Sequence, residues 1–179
     1  TYNPFMNSYN SKIQEEGSKS DTKKYHISVM LEESLQHLNV QPDGTYIDGT
    51  LGEGGHSYEI FKKLSPKGTL LSIDQDKNAI TFTEDFFKDA FESISANPND
   101  NAKWLLRNAN FSHMSRFTKE LDLKPNGILL DLGLSSRQLE QSGNNRGFSY
   151  QEEQSDLDMR MDQGLAVKAK DVLKALNEH

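Results

Sequence analysis

The chain has 179 residues, enough for one domain with a real core, but its apolar content of 34% predicts that part of it is exposed or disordered. Its formal net charge of -7 argues against a generic basic surface for nucleic acids, and no apolar run approaches membrane-spanning length. It has no cysteine, which excludes disulfides, thiolate metal sites and a cysteine nucleophile.

The first 24 residues are rich in Asn, Ser, Lys and Glu and show no apolar periodicity, so we predict a flexible tail over residues 1–24. The apolar spacing that follows predicts a helix from His26 to Leu38, with Ser28 as its N-cap. The tail has neither the apolar core of a secretory signal nor the acid-poor composition of a mitochondrial presequence.

A short apolar strand, Thr45 to Asp48, leads into a loop with four glycines within seven residues, Gly49 to Gly55. Such a loop lets the backbone come close to a ligand, because glycine has no Cβ and tolerates positive φ. At the carboxyl end of the first strand of an open α/β sheet, this is where nucleotides bind. We therefore predict that the loop holds an adenosyl cofactor.

The rest of the chain alternates predicted strands with predicted helices, which indicates an α/β fold with a mostly parallel sheet. From residue 133 to residue 164 the chain is polar and irregular. The predicted helices are Ser57–Leu64, Lys77–Ile94, Ser112–Leu121 and Lys168–Leu176, and the predicted strands are Thr69–Ile73, Trp104–Leu106 and Gly127–Asp131.

The loop departs from the dinucleotide fingerprint Gly-x-Gly-x-x-Gly, because Ser57 occupies the place of the third glycine. Asp48, at the strand tip, is predicted to point into the site, where a carboxylate would repel a pyrophosphate. The same carboxylate would suit the ammonium and sulfonium groups of S-adenosylmethionine. These two features favour S-adenosylmethionine over NAD, which remains the alternative.

Two later positions suit the adenosine part of either cofactor. Asp74 follows the second strand, twenty residues after Gly54, and is placed to accept the two ribose hydroxyls. Asp76 is the competitor for that role, and either carboxylate could instead cap the next helix. Phe111 follows the third strand, where an aromatic ring can pack against adenine or simply belong to the core.

The fourth strand ends at Asp131 and opens the loop Asp131 to Leu139, which should face the reactive end of the cofactor. An exocyclic base amine is a poor nucleophile, so an enzyme must position it and accept its hydrogens. Asp131, Ser135 and Ser136 are the candidate catalytic residues because their oxygens could do so.

Six ordered motifs together resemble one family, the bacterial small-subunit ribosomal-RNA cytosine-N4 methyltransferases, also called MraW, with their organellar relatives. The resemblance runs from about Tyr25 to the end of the chain. Its motifs are His26 to Glu33, Asp48 to Ser57, Ile73 to Asp76, Gly127 to Leu139, Arg146 to Ser149 and Leu157 to Asp162.

The resemblance implies specific contacts for S-adenosylmethionine and for RNA. By motif position, the cofactor contacts fall on Gly54, Gly55, His56, Asp74, Phe111, Asp131 and Gln138, to which the charge argument adds Asp48. Arg146 and Arg160 are expected on the RNA side, for phosphate or base contact. The alternative for both arginines is an internal salt bridge with Asp156, Asp158 or Asp162.

The resemblance also implies a Rossmann-like enzyme that methylates a cytosine of small-subunit ribosomal RNA near the decoding centre. Methyl transfer would be direct, without metal or covalent intermediate, on an unpaired or flipped base. The expected partner is the ribosomal subunit and its RNA, with no membrane partner. The expected location is the bacterial cytoplasm or, alternatively, the mitochondrial matrix. The oligomeric state is left open, a homodimer being one option.

Family members are longer, so we expect this sheet to be truncated before its last strands. The predicted domains are the cofactor-binding domain, 25–150, and the start of a helical inserted, substrate-recognition domain, 151–179. Two other functions compete with the methyltransferase: an NAD-type oxidoreductase on the same sheet, and a truncated, non-catalytic module that associates with the ribosome.

Overall fold

A computed structural model of the chain describes residues 28–140, 146–149 and 155–176. The predicted tail, residues 1–24, lies outside these residues, as does the predicted domain boundary between residues 150 and 151. The strands are β1 (Thr45–Asp48), β2 (Thr69–Asp74), β3 (Lys103–Asn108) and β4 (Gly127–Leu129). The helices are α1 (Leu31–Leu38), α2 (Gly55–Lys63), α3 (Lys77–Phe86), α4 (Lys88–Ala96), α5 (Met114–Glu120), α6 (Ser136–Glu140) and α7 (Ala169–Ala175), with a 3-10 turn at Phe111–His113.

The four strands form one parallel sheet in the order β3-β2-β1-β4, which confirms the predicted α/β fold. The chain first builds the sheet outward from β1 through β2 to β3, and then returns to place β4 on the other side of β1. The order therefore reverses between β1 and β4. In open parallel sheets, the carboxyl ends of the strands at such a reversal are where ligands bind.

Two apolar layers hold the sheet from opposite faces. On one face, Trp104 packs against the rings of Phe61, Phe87 and Phe91, with centroid distances of 5.2, 5.4 and 4.9 Å. On the other face, Ile47, Leu71 and Ile73 are fully buried against Phe117 of α5. Burial of each such side chain stabilises the fold by about 2 kcal/mol. Both layers fix the strand ends that carry the predicted site.

The long helix predicted from Lys77 to Ile94 is two helices, because the chain bends at Phe87. The backbone of Phe87 leaves the helical region, with φ -100° and ψ 26°, and its ring stacks on Tyr58 at 4.6 Å. Phe87 and Phe91 both contact the same indole ring, that of Trp104. Periodicity alone could not show the break, because the apolar positions Phe82, Phe86, Phe87 and Phe91 continue through it.

The prediction of Ser28 as a helix N-cap is wrong. Helix α1 begins at Leu31, and its N-cap is Met30, which has a left-handed backbone conformation with φ 50°. The fourth strand is also shorter than predicted and ends at Leu129, so Asp131 lies in the loop beyond it. No helix among the described residues is long and apolar enough to cross a bilayer.

Candidate functional site

A cleft of about 350 Å³ opens at the carboxyl ends of the strands, where the strand order reverses. Three chain segments supply most of its wall: the glycine loop after β1, the end of β2 and the loop after β4. Three carboxylates line it, those of Glu53, Asp74 and Asp131, and no Lys or Arg of the described chain does. The cleft is therefore acidic, and it suits a ligand with positive charge.

The backbone of the glycine loop is already hydrogen-bonded within the protein. The N–H of Thr50 donates to Asp48 Oδ1 at 3.0 Å, and that of Gly52 donates to Asp74 Oδ2 at 2.9 Å. The N–H groups of Leu51 and Gly54 donate to the carbonyls of Ile73 and Leu51. These donors are thus unavailable to cradle a phosphate group, which normally binds to such loops through free N–H groups.

Gly52 and Gly54 both have positive φ, 54° and 80°, but they face different surroundings. A Cβ on Gly52 would meet a single heavy atom within 4 Å, and Gly52 lines the cleft. A Cβ on Gly54 would lie 2.8 Å from the ring of Phe87 and 3.1 Å from Thr83 Oγ1. Gly54 does not line the cleft but packs closely beneath the loop, and its expected cofactor contact stays a prediction.

The orientation predicted for Asp48 is wrong. Its side chain is fully buried below the loop, where Oδ2 accepts a hydrogen bond from Ser57 Oγ at 2.7 Å. Ser57 Oγ lies 2.7 Å from Ser72 Oγ, which accepts from Trp104 Nε1 at 3.0 Å. Since the indole can only donate and Ser57 gives its proton to Asp48, Ser72 must donate to Ser57. Asp48 therefore ends a directed chain of buried hydrogen bonds.

Ser57 thus explains why the third glycine of the dinucleotide fingerprint is not needed. In that fingerprint the glycine allows close packing of helix and strand. Here a fully buried serine on the first turn of α2 packs against β1 and β2 by bonding to Asp48 and Ser72. Burial raises the pKa of Asp48, an effect that the hydrogen bonds from Ser57 and Thr50 partly offset.

Asp74 lines the cleft at the end of β2, as the sequence predicts. Its Oδ2 accepts the N–H of Gly52, and its Oδ1 accepts the N–H of Asp76 at 2.8 Å. Burial raises the pKa of Asp74, and these two backbone donors partly offset the rise. Each carboxylate oxygen has a second lone pair, so Asp74 can still accept the two hydroxyls of a ribose.

Asp76, the competitor for the ribose, has a structural role. Its Oδ1 accepts the N–H of Asn78 at 3.0 Å and so caps α3, which was the alternative left open for it. Its Oδ2 accepts a hydrogen bond from Gln138 Nε2 at 3.0 Å and forms an ion pair with Arg146 Nη2 at 2.8 Å. With 3% of its surface exposed, Asp76 does not face the cleft.

His56 and Asp131 meet across the cleft. His56 Nδ1 lies 3.9 Å from Asp131 Oδ2, and the N–H of Asp131 donates to Thr50 Oγ1 at 2.7 Å. The imidazole is buried, and its Nε2 has no hydrogen-bond partner within the described part of the chain. Gly55, at the start of α2, also lines the cleft. The side chain of Asp131 is 55% exposed and can still receive a ligand.

Phe111 forms part of the cleft wall, within the 3-10 turn that follows β3. A Cβ on Gly49 would lie 3.2 Å from the Cβ of Phe111, so the aromatic residue lies directly beside the glycine loop. The ring is half-buried, which leaves part of it for a ligand. The structure therefore places Phe111 at the cleft rather than deep in the core.

Ser135 and Gln138 form a capping box at the start of α6, a helix that the sequence analysis missed. The N–H of Ser135 donates to Gln138 Oε1 at 3.0 Å, and the N–H of Gln138 donates to Ser135 Oγ at 3.3 Å. Ser followed three residues later by Gln is a helix-start pattern that could have been read from the sequence. Both residues line the cleft, whereas Ser136 does not.

The two arginines expected on the RNA side are both in internal ion pairs. Arg146 is 4% exposed and pairs with Asp76, which is not among the acids considered for it. Arg160 pairs with Asp158, as the alternative reading held, with Nε–Oδ1 at 2.6 Å and Nη2–Oδ2 at 2.8 Å. This guanidinium holds the pKa of Asp158 well below its ordinary range. Neither arginine lines the cleft.

Thr50, Gln75 and Met161 are among the cleft residues that the sequence analysis did not single out. Gln75 Nε2 donates to Met161 Sδ at 2.9 Å, and Gln75 Oε1 accepts from Asn110 Nδ2 at 2.8 Å. Gln75 directly follows Asp74, so a polar residue at a strand end was the available signal. Met161 is 86 residues away in sequence from Gln75, and no local pattern indicates their contact.

The sheet and the cleft together define a doubly wound α/β domain. Its cleft lies where the strand order reverses, which is the usual position of a nucleotide site in such a sheet. The model of the MraW methylase family matches residues 23–179, and the chain belongs to this family. It is 41% identical over 155 residues to "Ribosomal RNA small subunit methyltransferase H 2" of Agathobacter rectalis, covering 86% of this chain and 46% of that relative.

Two further relatives carry the name "Ribosomal RNA small subunit methyltransferase H". That of Lachnospira eligens is 43% identical and that of Clostridium botulinum 44%, each over 154 residues, covering 86% of this chain and 45% of the relative. The chain spans about half the length of these curated relatives. Among solved structures, an rRNA methylase from Streptococcus thermophilus is 17% identical with a TM-score of 0.34, over 52% of this chain and 50% of that one.

Proposed function

We propose that the cleft binds S-adenosylmethionine, and that the chain is the cofactor-binding part of an enzyme that methylates cytosine N4 in small-subunit ribosomal RNA near the decoding centre. Membership of the MraW methylase family supports the reaction class. The names of the relatives, ribosomal RNA small subunit methyltransferases, support the RNA substrate.

The observation that carries the cofactor proposal is the hydrogen bonding of the glycine loop. The N–H groups of Thr50, Leu51, Gly52 and Gly54 all donate within the protein, and three carboxylates line the cleft. A pyrophosphate would find no donor among these four N–H groups and would meet negative charge. The ammonium and sulfonium groups of S-adenosylmethionine gain from the same charge. NAD, the alternative cofactor, therefore fits this cleft poorly.

The residues of the cleft suit each part of the cofactor. Asp74 has lone pairs left for the ribose hydroxyls, and Phe111 offers a half-buried ring for adenine. The first N–H groups of α2, at Gly55 and His56, have no acceptor within the helix and suit the cofactor's carboxylate. Gly52 leaves open space where a side chain would intrude.

When bound, S-adenosylmethionine supplies an electrophilic methyl group, and the residues of this chain would position the amine that receives it. Asp131 is the best-placed acceptor for the amine hydrogens, because it lines the cleft and its carboxylate is half-exposed. Ser135 is a second acceptor in the cleft wall. Ser136 lies outside the wall, so we do not retain it as a catalytic candidate. The compartment implied is one with bacterial-type ribosomes.

The first test is a titration of the 179-residue chain with S-adenosylmethionine and with NAD by isothermal titration calorimetry. We expect binding of S-adenosylmethionine alone, and at least a tenfold rise in Kd for Asp74→Asn, since hydrogen bonds to a charged acceptor contribute about 1.5–3 kcal/mol each. Asp100→Asn makes the same change at an exposed position outside the cleft and should leave Kd unchanged. Binding of NAD alone would overturn the proposal.

The reaction is tested separately from binding. Small-subunit RNA from cells that lack the modification is incubated with the chain and methyl-labelled S-adenosylmethionine, and its nucleosides are identified by mass spectrometry. The proposal predicts N4-methylcytidine as the labelled product. Label in a different nucleoside would contradict the assignment of the acceptor while leaving the cofactor assignment intact.

A further inference from the structure

Arg146 lies at the junction of three segments that are far apart in sequence. Its Nη2 is 2.8 Å from Asp76 Oδ2, and both side chains are about 95% buried. Its Nη1 reaches the carbonyls of Arg160 and Met161 at 3.5 and 3.4 Å, and its own carbonyl accepts the N–H of Met159 at 2.7 Å. One guanidinium thus joins the residues just beyond β2 to the segment around Met161.

The third segment reaches the same carboxylate through Gln138. Its Nε2 donates to Asp76 Oδ2 at 3.0 Å, so Arg146 and Gln138 share one oxygen atom. Gln138 also closes the capping box with Ser135, which fixes the loop after β4. Each of the three segments contributes a residue to the cleft wall: Gln75 beside Asp76, Ser135 in the loop, and Met161.

We propose that Arg146 and Asp76 are positioning residues that hold two walls of the cofactor cleft, the loop after β4 and the segment around Met161, against the end of β2. The inference rests on the proposed function, because the cleft it concerns is the proposed cofactor site. The proposed role of Arg146 is thus a structural one within the protein. It replaces the RNA contact that the motif containing Arg146 suggested.

The physical basis is that a buried ion pair acts as a unit. A buried carboxylate without its cation keeps the full cost of its burial, so the loss of Arg146 loosens everything that Asp76 holds. The planar guanidinium presents several donors in fixed directions and can reach Asp76 and two carbonyls together. A lysine keeps the charge, but its single ammonium group cannot reproduce that arrangement.

The test compares Arg146→Lys with Arg160→Lys in the 179-residue chain. Arg160 provides the matched control because it also pairs with an aspartate at low exposure, but its partner, Asp158, is only two residues away. Hydrogen exchange is measured on the amides of Ser135 and Gln138, which lie in the capping box, and on the amides of β1 and β2. Calorimetry then gives the Kd for S-adenosylmethionine.

For Arg146→Lys we expect about tenfold faster exchange at Ser135 and Gln138, unchanged exchange in β1 and β2, and about a tenfold higher Kd. Arg160→Lys should leave the exchange at Ser135 and Gln138 and in β1 and β2 unchanged, because the Arg160 side chain pairs with Asp158 and not with Asp76. An unchanged exchange rate at Ser135 and Gln138 in Arg146→Lys would overturn the inference. A rise in exchange rate that is equally large in β1 and β2 would also overturn it. If the wild-type chain binds no S-adenosylmethionine, the proposed function fails, while the exchange data still decide the positioning role.

Discussion

Asp48 is an ionisable residue that water does not reach, so the groups around it determine its charge state. Ser57 Oγ and the N–H of Thr50 donate to its two oxygens, an arrangement that favours the charged form. Thr50 in turn accepts the N–H of Asp131 at 2.7 Å. A line of hydrogen bonds therefore runs from Trp104 in the aromatic layer to the proposed acceptor of the amine hydrogens, although Asp48 itself does not line the cleft.

We predict that Asp48 gives folding stability a distinct pH dependence. Because burial raises its pKa, the folded protein holds this proton more tightly than the unfolded chain does. Its contribution to the free energy of unfolding is thus largest below the unfolded pKa of about 3.9 and falls as the pH rises through the higher folded value. Each unit by which the pKa is raised corresponds to about 1.4 kcal/mol in the free energy of unfolding.

The measurement is urea unfolding of wild type and Asp48→Asn, followed by the fluorescence of Trp104, the single tryptophan of the chain. Asn cannot titrate, so the difference in unfolding free energy isolates Asp48. We expect the wild type to lose stability relative to Asp48→Asn as the pH rises from about 4 through the raised pKa of the folded protein. A difference that stays constant over this range would contradict the prediction.

At the scale of the element, the loop between β1 and α2 uses its glycines for two different purposes. Gly54, with φ 80°, lies against Phe87, which in turn stacks on Tyr58. Gly52, with φ 54°, borders open space in the cleft wall. One glycine lets the loop pack on the core, and the other keeps the cleft open for a ligand.

Alanine at each of these positions should separate the two purposes. Both variants bear the cost of a left-handed non-glycine residue, about 1–2 kcal/mol. Gly54→Ala adds overpacking against Phe87 and Thr83, at about 1–3 kcal/mol, so its Tm should fall further than that of Gly52→Ala. Gly52→Ala should instead give the larger rise in Kd for S-adenosylmethionine. Equal effects of the two variants on both quantities would refute this division of roles.

The sequence contains the information for the strands and the glycine loop because those signals are local. Alternation of apolar strands, turns and helices predicts a parallel sheet, and an acid at the end of the second strand predicts Asp74 in the cleft. The pairing of Asp76 with Arg146 has no such signature, since it joins residues 70 positions apart. The buried orientation of the Asp48 side chain depends on Ser57, Ser72 and Trp104, which come from three different elements.

At the scale of the whole molecule, apolar side chains are exposed where β4 forms an edge of the sheet, as they also are between Leu157 and Leu176. Ile128 is 49% exposed, although its partner in β1, Ile47, is fully buried in the layer beside α5. Leu130 and Leu132, which follow β4, are 43% and 67% exposed. An exposed strand edge with apolar side chains is a template for pairing with another chain.

We therefore predict that the 179-residue chain on its own self-associates through the β4 edge, and that Ile128→Glu shifts it toward the monomer in sedimentation velocity. The added charge at the edge opposes strand pairing, and the negative net charge of -7 strengthens the repulsion between copies. Leu173→Glu makes a comparable change at a residue of α7 that is 58% exposed. If both variants dissociate the chain equally, association is driven by apolar surface in general and not by the β4 edge.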